Sequence, residues 1–223
     1  MTDITTKSKR PVTRQKLLDA SVKLMRIKGF NATSVEDICD AADVTKGGFF
    51  HYFHSKQAVA KAAVEHYRQA RQQAFEQASF RKLADPLERV YGRLNFIKND
   101  LLESVQVTGG CLLGMLAQEL AITHPLLRQT CQNAFLSMTL EFEKDLAAAK
   151  TRYAPQADFD PKKIANLFMA IYQGSLLLAK TAESHTIMEE NFDQFARLLA
   201  GLFNRASQPL PVITDPSSDH SRN

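Results

Sequence analysis

Nothing in this 223-residue sequence approaches 18 consecutive apolar residues, so no segment offers itself as a membrane-spanning helix. Cysteine is scarce. Cys39, Cys111 and Cys131 form an odd, widely spaced set that cannot build a disulfide framework. The N-terminus lacks the apolar core of a secretory signal, and with the sparse cysteine this points to a reducing cytoplasm. Also missing are a glycine-rich phosphate loop after a strand, a zinc-spaced Cys/His set and a nucleophile elbow. No catalytic residue, metal or cofactor is therefore implied. His51 and His54 stand three apart without an evident third ligand. A small helical enzyme with dispersed catalytic groups, or a protein-binding scaffold with a basic end, are the alternative readings. No strand pattern and no internal repeat is found, which disfavours a solenoid.

What is present is unevenly placed. Residues 1–60 hold ten Lys/Arg against six Asp/Glu, whereas the remaining residues hold 18 of each, so the whole net charge of +4 lies at the N-terminal end. Such asymmetry points to an anionic partner for the first sixty residues. The length suits one small module joined to a larger one.

Residues 1–12 read as a flexible basic arm. From Thr13 apolar residues recur at helical spacing until Gly29, giving a first helix. Ser34 with Asp37 three residues on has the spacing of a capping box for a second helix. Thr45 caps a third, on which Phe49 and Phe53 fall one above the other facing inward, and Ser55 caps a fourth. Further helices are expected at about 86–104, 111–122, 125–150, 161–184 and 187–205, followed by a Pro/Ser/Asp-rich disordered tail at 207–223. The expected fold is all-α, with a helix-turn-helix domain at 13–54 and a larger helical domain at 55–206.

Two short helices joined by a tight turn in a basic module form a helix-turn-helix, whose second helix enters the major groove. With Phe49 and Phe53 turned inward, Phe50, His51 and Tyr52 are left for the outside. Gly47 and Gly48 leave the start of that helix bare, so that its backbone can approach a groove edge.

The stretch "GFNATSVEDICDAADVTKGGFFHYFHSKQAV" makes the segment from Thr13 to about Tyr67 similar to the DNA-binding domain of the tetracycline-repressor family of bacterial regulators. The resemblance implies a dimeric, all-helical regulator of double-stranded DNA, most often a repressor. Residue by residue, it implies that Thr33, Tyr52 and Lys56 contact phosphate. It further implies that Lys46, Gly47, Gly48, Phe50 and His51 approach base edges and thymine methyl groups. At Gly48 the family commonly has Ser or Thr, and at Phe50 commonly Tyr, so two hydroxyls are absent here.

The larger domain is expected to sense an effector. Cys111 follows two glycines at the start of a helix, where free N–H groups and the positive dipole end favour thiolate over thiol. "TGGCLLGMLAQEL" resembles a segment of the family branch that includes cysteine-based electrophile sensors. A buried structural cysteine is the competing reading. For a non-covalent small-molecule effector, Met115, Gln118, Phe135, Tyr172 and Gln173 are candidate pocket residues. The resemblance also implies that the last two helices pair with their two-fold mates, with Leu167, Ala170, Ile171, Gly174, Leu178, Phe195, Leu199 and Leu202 as candidate interface residues. A two-fold dimer calls for an inverted-repeat, palindromic operator.

Overall fold

The computed structural model describes the backbone of residues 6–108 and 110–204 and the side chains of 12–102 and 110–204. Among these residues there are nine α-helices and no strand: α1 Thr6–Lys28, α2 Val35–Ala42, α3 Lys46–Tyr52, α4 Lys56–Gln77, α5 Pro86–Thr108, α6 Leu112–Leu120, α7 Pro125–Tyr153, α8 Pro161–Ala182 and α9 Thr186–Leu202. A single 3-10 turn, Ser79–Lys82, follows α4. No helix among the described residues is long and apolar enough to cross a membrane. The all-α expectation holds. The arm expected at 1–12 does not hold for its second half, since α1 begins at Thr6. Lys and Arg are good helix formers, a propensity that reading the segment by its charge overlooks. The tail at 207–223 lies outside the described residues.

Two compact units form. One gathers the chain up to Gln72 with Thr108–Phe135, and the other gathers Gln73–Val107 with the chain from Leu136 onward. The boundary expected at 54/55 followed the motif, whereas packing places α6 and most of α4 with the first three helices.

In the first unit, α1 buries Leu17, Leu18 and Met25 and ends at Gly29, whose φ of 84° lies in the left-handed region. Glycine adopts this conformation without steric cost. The capping box of α2 is complete: Ser34 Oγ accepts from Asp37 N at 3.0 Å, and Asp37 Oδ2 accepts from Ser34 N at 2.7 Å. Thr45 Oγ1 accepts from Gly48 N at 3.1 Å at the start of α3, and Ser55 Oγ accepts from Ala58 N at 3.1 Å at the start of α4. Buried Ile38 and Ala42 of α2, Phe49 of α3, Phe53, and Val59, Ala60, Ala63 and Val64 of α4 supply the rest of the core.

The α2 cap carries a prediction. Ser34→Ala should cost about 1 kcal/mol in denaturant unfolding. The carboxyl of Asp37 is held well below its ordinary value of 3.8, first by its bond from the Ser34 backbone and then by Lys28, whose ammonium is 2.9 Å away. A depressed folded-state value means that the stabilisation is complete above 3.8 and is lost as pH falls below it. Acid titration of Asp37→Asn should therefore lack the part of the stability loss that the wild type shows below that pH.

The second unit is held by aromatic stacking. Phe168 lies 5.1 Å from Phe142, 5.5 Å from Phe192 and 5.0 Å from Phe195, ring centre to ring centre, tying α7, α8 and α9 together. Asp85 caps α5 by accepting from Leu87 N and Glu88 N at 2.8 and 3.0 Å. Asp160 caps α8, with Pro161 supplying the preset first turn. Inside the unit Arg93 is 4% exposed, with Phe75, Phe80 and Phe142 rings 5.3, 5.3 and 5.9 Å from its guanidinium and Asp145 at 3.0 Å.

Candidate nucleic-acid interface

The α2–α3 pair is fixed before any ligand arrives. Asp43, at φ 54°, closes α2 by donating its N–H to Asp40 O, and Val44 N donates to Cys39 O at 3.0 Å, so α3 begins after three residues. Burial then sorts the aromatic residues. Phe49 is 0% and Phe53 5% exposed, with rings 5.8 Å apart, and Arg14 of α1 lies 5.7 Å over the Phe53 ring. On the opposite edge Phe50 is 51% exposed and His51 is exposed. The half-buried Tyr52 meets the His51 ring edge-on at 4.9 Å.

The two glycines differ in their reason. A Cβ at Gly47 would meet nothing within 4 Å, so this position is open backbone on the outer edge. A Cβ at Gly48 would come within 2.8 Å of Val44 Cγ1 and 3.3 Å of Thr45 Oγ1. A side chain at Gly48 would therefore press on the adjoining turn, and Val44 would have to shift to admit a Ser or Thr.

Two of the expected phosphate contacts are engaged within the protein, Thr33 wholly and Lys56 in part. Thr33 is 0% exposed, and its hydroxyl donates to Gly29 O at 2.6 Å. The hydroxyl is spent on closing the α1–α2 turn. Lys56 is half-buried; its ammonium donates to Phe30 O at 2.9 Å and stands 4.2 Å over the Phe30 ring. Thr33 braces the turn through a carbonyl four residues back, and Lys56 through one 26 residues back. Lys46 is exposed at the N-terminal turn of α3 and is ion-paired with Glu36 of α2. The hydrogen bond with Glu36 raises the ammonium's value and lowers that of the carboxyl. Glu36 was not anticipated, because ten residues separate the partners and no helical spacing links them.

The effector candidates do not gather in one unit. Cys111, Met115, Gln118 and Phe135 belong to the first; Tyr172 and Gln173 belong to the second. Cys111 is the N-cap residue of α6, as expected, and is 4% exposed. Met115 and Phe135 are half-buried, Tyr172 is buried, and half-buried Gln173 donates to Met169 Sδ at 3.9 Å on its own helix. Gln118 is exposed, which removes it from any interior lining. Cys131 is buried, and burial pushes its thiol up to about 11, with Cys111 adding to the shift. Burial also raises the Cys39 thiol.

On α8 the candidate interface residues Leu167 and Ala170 are exposed, as is Leu178, while Ile171 and Gly174 are half-buried. On α9 Leu202 is half-buried. Phe195 and Leu199 are 1% and 0% exposed, so both belong to the protomer's own core and cannot face a partner. Their neighbour Leu198 is 40% exposed instead. An apolar helix has more than one greasy face, and the period alone does not say which is covered.

A family model described as bacterial regulatory proteins of the tetR family matches residues 17–63. A second, described as the tetracyclin repressor-like C-terminal domain, matches residues 86–195. The chain is 28% identical over 181 residues to an uncharacterized HTH-type transcriptional regulator in the lacX 3′ region of Lactococcus lactis subsp. lactis, covering 81% of this chain and 90% of that protein. It is 24% identical to the HTH-type transcriptional repressor DhaR of Mycobacterium sp. (strain GP1), covering 83% and 89%. Among solved structures, regulatory protein TetR from Rhodobacter sphaeroides superposes with a TM-score of 0.73 at 26% identity, covering 86% of this chain and 99% of that one.

Proposed function

This chain belongs to the tetracycline-repressor family of DNA-binding transcriptional regulators, and from that premise we propose that it works as a homodimeric repressor on an inverted-repeat operator. The observation that carries the reading is the division of α3 into two edges. Phe49 is buried, and Phe53 just beyond it is too, while Gly47, Phe50 and His51 stand outside with Lys46, where a folded core gives them no work. An apolar ring beside bare backbone suits the thymine methyl in a major groove. Lys46 and Tyr52 flank it as candidate phosphate contacts.

Release comes from an effector acting on the C-terminal helices, with modification of Cys111 as the alternative route, supported by its place at the α6 N-terminus. The coupling required is on the order of 1 to 3 kcal/mol between the two states of the dimer. Selection of bound sequences from a random duplex pool tests the reading. A palindromic consensus is expected, with binding that falls steeply with salt; absence of any enriched sequence at low salt would remove the proposal.

Glu36 supplies a sharper check. Phosphate must compete with this carboxylate for Lys46, so Glu36→Gln should strengthen binding to any duplex. Each lysine that gains a phosphate should steepen the slope of log K against log salt by about 0.9. An unchanged slope would show that Lys46 never reaches the backbone.

A further inference from the structure

Helix α6 is tied to the DNA-binding unit at both ends. At its N-terminal end, Arg26 of α1 donates from Nε to Gly110 O at 2.5 Å, while its guanidinium lies 5.5 Å over the Tyr67 ring of α4. At its C-terminal end, Glu119 reaches the α1–α2 turn, where Oε1 accepts from Phe30 N at 3.0 Å and Oε2 from Asn31 N at 2.8 Å. Between these ties α6 buries Leu112, Leu113, Leu116 and Leu120.

We infer that Glu119 is the positioning residue through which α6 sets operator affinity, its carboxylate holding the turn that leads into α2, the first helix of the α2–α3 pair. This rests on the reading of the protein as an operator-binding regulator. Two successive N–H groups in a tight turn form a small cationic cradle, and a carboxylate, with two oxygens at fixed spacing, satisfies both at once. Gly29 makes the approach possible, because a Cβ there would lie 2.0 Å from Glu119 Oε1.

What the carboxylate holds is the hub of the unit. Phe30 O accepts from Lys56 Nζ and from Thr33 N at 2.9 and 3.1 Å, and the Phe30 ring packs against the Lys56 ammonium and, at 5.8 Å, the His124 ring. Lys56 opens α4, and Ser34, three residues after Asn31, caps α2. The same turn thus meets the starts of both α2 and α4. A shift of α6 along its axis has to break the Glu119 bonds, and the turn loses its only bidentate acceptor among the described residues.

The test uses the full-length protein and the duplex that the wild type selects from a random pool. Glu119→Ala should lower affinity for that duplex about ten-fold, within the usual range of coupling between sites, and Glu119→Gln, which keeps one acceptor oxygen, less, about three-fold. Affinities are taken on the folded fraction, with unfolding curves measured in parallel. A purely structural contribution would lower the melting temperature of both variants and leave the affinity of folded protein unchanged, which would overturn the inference. So would a rise in affinity, since the tie would then belong to the released state. Should Glu119→Ala fail to fold, amide exchange on the wild type decides. Asn31 is exposed, so protection of its N–H supports the tie, and exchange at the rate of a free turn overturns it. If the wild type selects no duplex at all, it is the proposed function that fails, and the amide measurement still judges the tie.

Discussion

Replacing Asp145 with alanine is expected to destabilise the second compact unit by about 3–5 kcal/mol, the usual consequence of leaving a buried charge without its partner. Asp145 is 7% exposed and receives two guanidiniums, Arg89 Nε and Arg93 Nη2, each at 3.0 Å. Arg89 has other acceptors, Leu83 O and Ala84 O, at 3.0 and 3.1 Å. Arg93 is worse placed. Its Nε has no hydrogen-bond partner among the described residues, and burial already works against its charge, with Asp145 as the main group that opposes the loss. Ring faces around it soften the penalty and do not replace a carboxylate. Urea or thermal unfolding measures the effect. The double variant Arg93→Met, Asp145→Leu should recover most of the loss, because an apolar pair of similar volume often substitutes for a buried ion pair. A single-variant cost below about 1 kcal/mol would mean that the pair is open to water, as surface ion pairs are.

The second large effect concerns assembly. Gly174→Asp is expected to yield monomers in sedimentation and to weaken operator binding by about a thousand-fold or more, from the specific toward the non-specific range. In a two-fold contact the new charge is buried twice, facing its own copy. The protomer itself has room for the side chain, since a Cβ at Gly174 meets nothing within 4 Å. A non-glycine residue in the middle of α8 also favours the helix. Loss of the dimer can therefore be separated from loss of the fold by an unchanged or raised melting temperature of the monomer. A dimer that survives the substitution would move the interface to another face, such as that bearing exposed Leu136 and Leu140 of α7.

Local chemistry was legible in the sequence, and long-range partnership was not. Ser34, Thr45 and Ser55 cap the helices they were expected to cap, because a cap is decided by residues three apart. Phe49 and Phe53 face inward for the same reason of spacing. Thr33 and Lys56 stand at positions that resemblance assigns to phosphate; the Thr33 hydroxyl is buried against Gly29 O, and the Lys56 ammonium gives one of its donors to Phe30 O. No periodicity reports a bond to a carbonyl 26 residues away. Arg93 and Asp145, 52 residues apart, were invisible for the same reason. On α9 the sequence offers Phe195, Leu199 and Leu202 as one apolar set, and only packing, such as that of Phe195 against Phe142 and Phe168, tells which of them is already covered. The candidate site was thus readable along α3, where outward residues are what inward spacing leaves over.

Gly29 joins two demands that no other amino acid meets together: a left-handed backbone at φ 84°, and a Cβ position already taken by the carboxylate of Glu119. In a saturation mutagenesis survey that scores surviving regulators, codon 29 should come back blank. Drift at position 29 is also conditional on position 119, so a shortened side chain there would be the first step of any path that leaves glycine behind.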